Sequence, residues 1–171
     1  ALGDDIEARY VGSYDWPGDC SRRHFASPTL EEITVPLSPA HHAAAAEAAA
    51  QAGGKVVIDL LFGRQGHLSP EYLAEAVRAV TWADVVVFSH PWVAPLIEDD
   101  LLVGKTVVYD SHNVERSLRA QLLDLDNPFE RDLLARVEAA ERRAGDRADL
   151  ILACSDEDAG EFVRLYAWPR S

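Results

Sequence analysis

Methionine is absent from the 171 residues, and cysteine and lysine are almost absent: Cys20 and Cys154, Lys55 and Lys105. Without an initiator, the chain is expected to be processed or cut from a longer one. The two cysteines stand far apart and form no C-x-x-C pair, which fits a reducing cytosol rather than a disulfide framework. No stretch approaches the roughly 18 uninterrupted apolar residues of a membrane-spanning helix. Residues 1–10 are polar and acidic, with no apolar signal region. Basic charge is scarce too: 16 Lys and Arg face 29 Asp and Glu, for a net charge of −13. An acidic surface argues against nucleic acid as a partner. No G-x-G-x-x-G follows a strand, and there is no P-loop, H-E-x-x-H, Cys/His metal spacing or G-x-S-x-G elbow. Neither a resident cofactor nor a metal is therefore expected. His41 and His42 are adjacent on a helix and point in different directions. Asp124-Leu125-Asp126 reads as helix-end capping.

What the chain does have is alternation of strand and helix. Apolar, β-branched runs stand at Ile6–Val11, Ile33–Leu37, Val56–Leu61, Val85–Phe88, Thr106–Tyr109 and Leu150–Cys154. Those around Val57, Val86 and Val107 are near-continuous, as in parallel strands covered on both faces. Helix starts lie between them. Ser38-Pro39 and Ser69-Pro70 each pair an N-cap residue with a first-turn proline, and Asn127-Pro128 repeats the device with Glu130 in capping-box position. Ser155 or Asp158 can cap a last helix. The expected fold is α/β, a Rossmann-like three-layer α/β/α domain with a mostly parallel sheet, spanning residues 1–171 as one domain. Only Tyr14–Leu30 fits no element. It holds Tyr14, Trp16, Phe25 and the basic trio Arg22-Arg23-His24, and structureless loops of this length are usually functional or disordered.

Ligands of open α/β sheets bind beyond the carboxyl ends of the strands. The residues just past those ends are the candidates: His90 after Val85–Phe88; Asp110, His112, Asn113 and Glu115 at and after Thr106–Tyr109; Ser155 after Leu150–Cys154. His90 can act as a base or bind a hydroxyl. Asp110 can orient His112 in the manner of a carboxylate–histidine pair. Ser111 or Asn113 can equally cap a helix start, and Glu115 can be a solvated first-turn acid. Both histidine rings should open on one cleft, about 5–14 Å apart for strands that are near neighbours.

Three strings carry a resemblance: "ADVVVFSHPWVAPL", "KTVVYDSHNVE" and "VEAAERRAGDRADLILACSDEDAGEFVRLY". Over residues 84–166 they resemble the N-terminal domain of GT-B-fold, family-4-type glycosyltransferases. That family has a strand ending in His, then a D-x-H-[ND]-x-E string, then a Glu-rich helix running into a strand and a Ser-Asp start. The matching positions are His90 and Pro91; Asp110, His112, Asn113 and Glu115; Glu138 and Glu141; Asp149, Ser155 and Asp158. Residues 1–83 agree in element order alone. The resemblance implies the acceptor-binding half of an enzyme that moves sugar from a nucleotide sugar to a glycan, lipid or small-molecule acceptor without a bound metal. It implies a cytoplasmic enzyme, in some members peripheral to the membrane. The family's Gly-rich turn after its first strand has no counterpart before Ile6, and its donor domain has none either, so the chain is expected to be the acceptor half trimmed at both ends or with an unusual first strand. The half in hand is then expected to be inactive alone. His90 would contact acceptor or transferred sugar; Asp110, His112 and Asn113 would shape the cleft wall. Arg22 and Arg23 would meet an anionic group on the acceptor. Two other readings share these features: a stand-alone flavodoxin-like binding or regulatory domain, and half of a GT-B-fold sugar-nucleotide epimerase.

Overall fold

The strongest apolar runs pair as parallel strands. In the computed structural model, which describes residues 6–14 and 20–169, β4 (Val85–Phe88), β5 (Thr106–Asp110) and β6 (Leu150–Leu152) form a three-stranded parallel sheet in the order β4-β5-β6. Each crossover carries structure of its own. Short 3-10 turns at Ala94–Leu96 and Asp99–Leu102 lead from β4 to β5. Helices α4 (Glu115–Leu122) and α5 (Pro128–Asp146) lead from β5 to β6. Helix α6 (Asp156–Tyr166) follows β6 and ends at Ala167, a non-glycine residue at φ 58°.

The N-terminal strands form a second sheet. β1 (Ala8–Tyr14) pairs in parallel with β3 (Leu30–Pro36), and β2 (Arg22–Ser27) pairs antiparallel on the other side of β3. The expected loop over Tyr14–Leu30 is therefore largely a strand and a tight turn; Trp16 and the rest of 15–19 lie outside the described residues. β2 escapes a pattern search because it has no buried face: Phe25 is exposed, and the strand exists through its ladder to β3.

Two further expectations are corrected. The expected strand at Val56–Leu61 is a turn leading into the short helix α2 (Phe62–Gln65). Its apolar residues serve a different contact. Val57, Leu60 and Leu61 pack with Leu133 and Val137 of α5 in a second core cluster. A short apolar run is ambiguous between strand and other buried segments, and here packing against a helix decided it. The strands also fall into two sheets rather than one mostly parallel sheet.

The β4-β5-β6 sheet is covered on one face. Val86, Phe88, Val107 and Tyr109 are buried in the main core with Phe162, Tyr166 and Trp168. On the other face Val87, Val108 and Leu150 stand in register across all three strands. There Val87 is 53% and Leu150 42% exposed. β3 joins the same main core through Ile33 and Val35, and α3 (Pro70–Trp82) lies against β1 and β3.

Helix starts follow the expected devices with one exchange of roles. Ser38 caps α1 (Pro39–Gln51) by accepting from the His41 N–H at 3.1 Å. Ser69 precedes Pro70 but does not cap α3. Its Oγ accepts from the Ser38 N–H at 3.0 Å and lies 3.0 Å from His41 Nδ1, while Ser38 Oγ donates to the Leu68 carbonyl at 2.5 Å. His41 is fully buried and its Nε2 has no hydrogen-bond partner among the described residues. The cheaper tautomer has Nδ1–H donating to Ser69, which leaves a lone pair rather than an N–H unsatisfied. Burial, and the neighbouring His42 and His67, lower the pKa of His41. Asn127 caps α5 through Phe129 N–H, and Ser155 caps α6 through Asp158 N–H.

Candidate functional site

The carboxyl ends of β4 and β5 bring two histidines together. The His90 and His112 ring centroids are 4.8 Å apart, inclined at 46°. The two strands are direct neighbours, so residues two positions beyond Phe88 and Asp110 meet side by side. His112 Nε2 lies 3.6 Å from Asp110 Oδ2, within ion-pair reach and too long for a hydrogen bond. Asp110, His112 and His90 all remain open to solvent.

His90 opens to solvent, yet enough protein surrounds its ring that burial lowers its pKa. The adjacent His112 adds to this, and Arg119 to a lesser degree; Glu115 and Asp59 act in the opposite sense. Burial and His112 thus favour the neutral form of the ring. Such a ring can accept a hydrogen bond from a ligand hydroxyl or donate one to it.

Behind the histidines stands a wall of charge. Glu115 is almost fully buried and its carboxylate accepts from Arg119 Nε at 3.1 Å. Arg119 also donates to Asp59 Oδ2 at 2.7 Å, and its guanidinium lies 5.6 Å from the centre of the Trp92 ring. Glu115 is thus the buried partner of an arginine, not the solvated first-turn acid that its position suggests. Arg119, Asp59 and Trp92 belong to this wall, and no motif marked them. Arg119 sits one helical turn after Glu115, the only signal that could have linked the two.

The helix start above the site is capped from a distance. Neither Ser111 nor Asn113 caps α4: Ser111 Oγ donates to the Asn113 carbonyl at 2.6 Å. Glu141 of α5 does so instead. Fully buried, it accepts from Glu115 N–H at 2.6 Å and Arg116 N–H at 3.2 Å, and from the hydroxyls of Tyr166 at 2.6 Å and Tyr109 at 3.4 Å. Burial raises its pKa despite these donors. Glu138 stays at the surface with Arg116 and Arg142.

The other expected site residues make contacts of their own. The Ser155 hydroxyl is used as a cap. Arg23 is held by Glu31 and Glu75, both at 2.8 Å, and these bonds raise its pKa. Arg22 is on β2, opposite Thr34 of β3. Asp124-Leu125-Asp126 closes a turn, with Asp124 Oδ1 accepting from Asp126 N–H at 3.0 Å. Among the described residues no group of three or more His, Cys, Asp and Glu could hold a metal ion, and no helix is long and apolar enough to cross a membrane.

Two cavities flank the Arg119 wall and share Leu60. One, of about 360 Å³, lies among Val56, Val57, Arg119, Leu122 and Leu123. The other, of about 430 Å³, lies between Trp92, the α2 turn and α5. Comparison with protein-family models, with curated proteins and with solved structures finds no match.

Proposed function

We propose that the chain is the acceptor-side half of a GT-B-fold glycosyltransferase, a Rossmann-like three-layer domain in the complete enzyme. The carrying observation is the contact of His90 with His112, beside Asp110, at the carboxyl ends of adjacent parallel strands. The resembling family has its His and its D-x-H-[ND]-x-E string in that chain order, and here the two strings form one surface. In this reading His90 hydrogen-bonds a hydroxyl of the acceptor or of the transferred sugar. His112 and Asp110 form the cleft wall with Asn113, and Glu115 sets the wall from behind through Arg119. The nucleotide sugar sits mainly on a donor domain outside this sequence, and the acceptor is a glycan, lipid or small molecule. The enzyme works in the cytoplasm, and peripheral contact with a membrane is compatible with it.

Transfer assays on the protein at its natural length test this. His90→Ala is expected to reduce turnover more than it weakens donor binding. His112→Ala should do less. Residues 1–171 alone should transfer no sugar and bind nucleotide sugars weakly. Micromolar affinity for a nucleotide sugar, roughly −8 kcal/mol, would place the donor site here and overturn the assignment. So would wild-type turnover in His90→Ala.

A further inference from the structure

The 430 Å³ cavity has a lining at odds with the rest of the molecule. Arg64, Arg136 and Arg143 line it, and no acidic residue does. This occurs in a chain of net charge −13. Arg64 has no ion-pair partner among the described residues. Among the described residues Arg136 is paired with Asp132 alone, one turn away on the exposed face of α5. Arg143 shares Asp99 with Arg147, and Arg147 is the closer claimant: its Nε lies 2.6 Å from Asp99, against 3.2 Å for Arg143. Arg147 is also fixed in place, donating to the carbonyls of Ala94 and Ile97. Asp99 therefore keeps a partner if Arg143 turns into the cavity. The remaining wall is apolar and flat: Trp92, Pro95 and Leu60, with Gly63 so close to Pro95 that a Cβ there would lie 3.2 Å from the proline ring.

We infer that this cavity is a binding site for a small phosphate-bearing ligand, with its phosphate between Arg64 and Arg143 and its ring against Trp92. Arginine presents a fork of donors that matches phosphate in bidentate fashion, and an aromatic face suits a sugar or polyol ring. The volume falls within the range of small-molecule sites, roughly 300–1,000 Å³. Trp92 links the site to the histidine pair along the chain, two residues after His90. The ligand would then be the acceptor, and only that designation rests on the glycosyltransferase reading. Arg22 and Arg23, the arginines first expected to meet an anion, are not in this cavity.

The test is a titration of the chain labelled with ¹⁵N, read at the Trp92 indole N–H after assignment by Trp92→Phe. The probes are glucose 6-phosphate, inorganic phosphate, glucose, and vesicles of phosphatidylinositol in phosphatidylcholine. Glucose 6-phosphate should shift the Trp92 signal saturably. Inorganic phosphate should compete with it, and glucose should do nothing. Arg64→Gln with Arg143→Gln should weaken glucose 6-phosphate at least tenfold with the melting temperature unchanged. No saturable shift at millimolar glucose 6-phosphate would overturn the inference, as would equal binding by the double variant or by glucose. Should that variant fail to fold, the wild-type comparison of glucose 6-phosphate with glucose decides alone. Binding to vesicles without binding to glucose 6-phosphate would make the site a lipid-headgroup site and also overturn it. No donor is present, so failure here leaves the transfer reading standing, and absence of transfer leaves this result standing.

Discussion

The two sheets are held together by opposite means. The β4-β5-β6 sheet is tied to its helices by buried carboxylates. Glu141 gathers the start of α4 with Tyr109 and Tyr166, and Glu130, held by Lys55 at 2.7 Å, also accepts from the Asp124 N–H. The β1-β3-β2 sheet relies on ion pairs of part-exposed arginines, Arg9 and Arg23 with Glu31, and Arg23 with Glu75. Exposed pairs contribute little because water competes for both partners. A buried acceptor whose donors have no alternative contributes a great deal, since its loss orphans all of them. The region that positions the histidines is therefore the one fastened by buried acceptors, whereas the N-terminal sheet shares the apolar core through Ile33 and Val35 and is fastened at its surface by ion pairs.

The largest expected effect breaks the stronger side. Glu141→Leu should destabilise the fold by about 4 kcal/mol or more, because two backbone N–H groups and two tyrosine hydroxyls lose their acceptor at roughly 1–3 kcal/mol for each group left buried. Denaturant unfolding measures it; a loss below about 1 kcal/mol would show that water or Glu138 takes over the cap. In an enzyme of full length the same change should lower turnover, since α4 carries Glu115 and Arg119.

A smaller effect separates the regions by pH. The pKa values of His41 and His90 are lowered, so between those values and about 6.5 the folded chain binds fewer protons than the unfolded one. Their contribution is complete above pH 6.5 and is lost as pH falls through the lowered values. Glu141 has the opposite sign. Its contribution is complete below the usual carboxylate range and is lost as pH rises through its raised value. Glu130, lowered chiefly by the bond from Lys55, loses its contribution as pH falls. From pH 7.5 to 5 the two histidines should therefore lower the melting temperature against an opposing rise from Glu141, and His90→Asn should remove part of the histidine slope. An unchanged slope would mean that His90 is solvated like a free histidine. The smallest effect is on the weaker side: Glu31→Gln should cost no more than about 1 kcal/mol in the same unfolding experiment. A larger loss would mean that the N-terminal sheet is as firmly wired as the parallel one.

The sequence disclosed the parallel strands and most helix starts because their signals are local. Val85–Phe88 and Thr106–Tyr109 are β-branched runs, and Ser38, Asn127 and Ser155 sit one residue before their helices. The meeting of His90 and His112 was legible too, since it needs only two neighbouring strands of the same direction. What stayed hidden depends on contacts between distant residues. Glu141 caps a helix 26 positions upstream, and Asp59 reaches Arg119 across 60. β2 has no apolar face to announce it. Val56–Leu61 carries the composition of a strand, and only the presence of Leu133 and Val137 opposite it makes it a packed turn. The open face of the parallel sheet was likewise unreadable, because Val87 and Leu150 look the same covered or bare.

The knot of Ser38, Ser69 and His41 has a kinetic consequence. It joins the starts of α1 and α3 across some thirty residues, so neither helix can fray at its first turn without releasing a hydroxyl or a ring from the other. Residues 38–69 then open as one unit, closed at its neck by that knot. In hydrogen exchange the Ser38 and His41 amides, although thirty residues from the start of α3, should exchange in step with Leu73, whose N–H is held by the Ser69 carbonyl. Ser69→Ala, which takes away the acceptor of the Ser38 N–H and the partner of the His41 ring but no bond between two backbone groups, should accelerate the whole group together. In this part of the chain the cooperative element is a side-chain fastening, and the helices report its state.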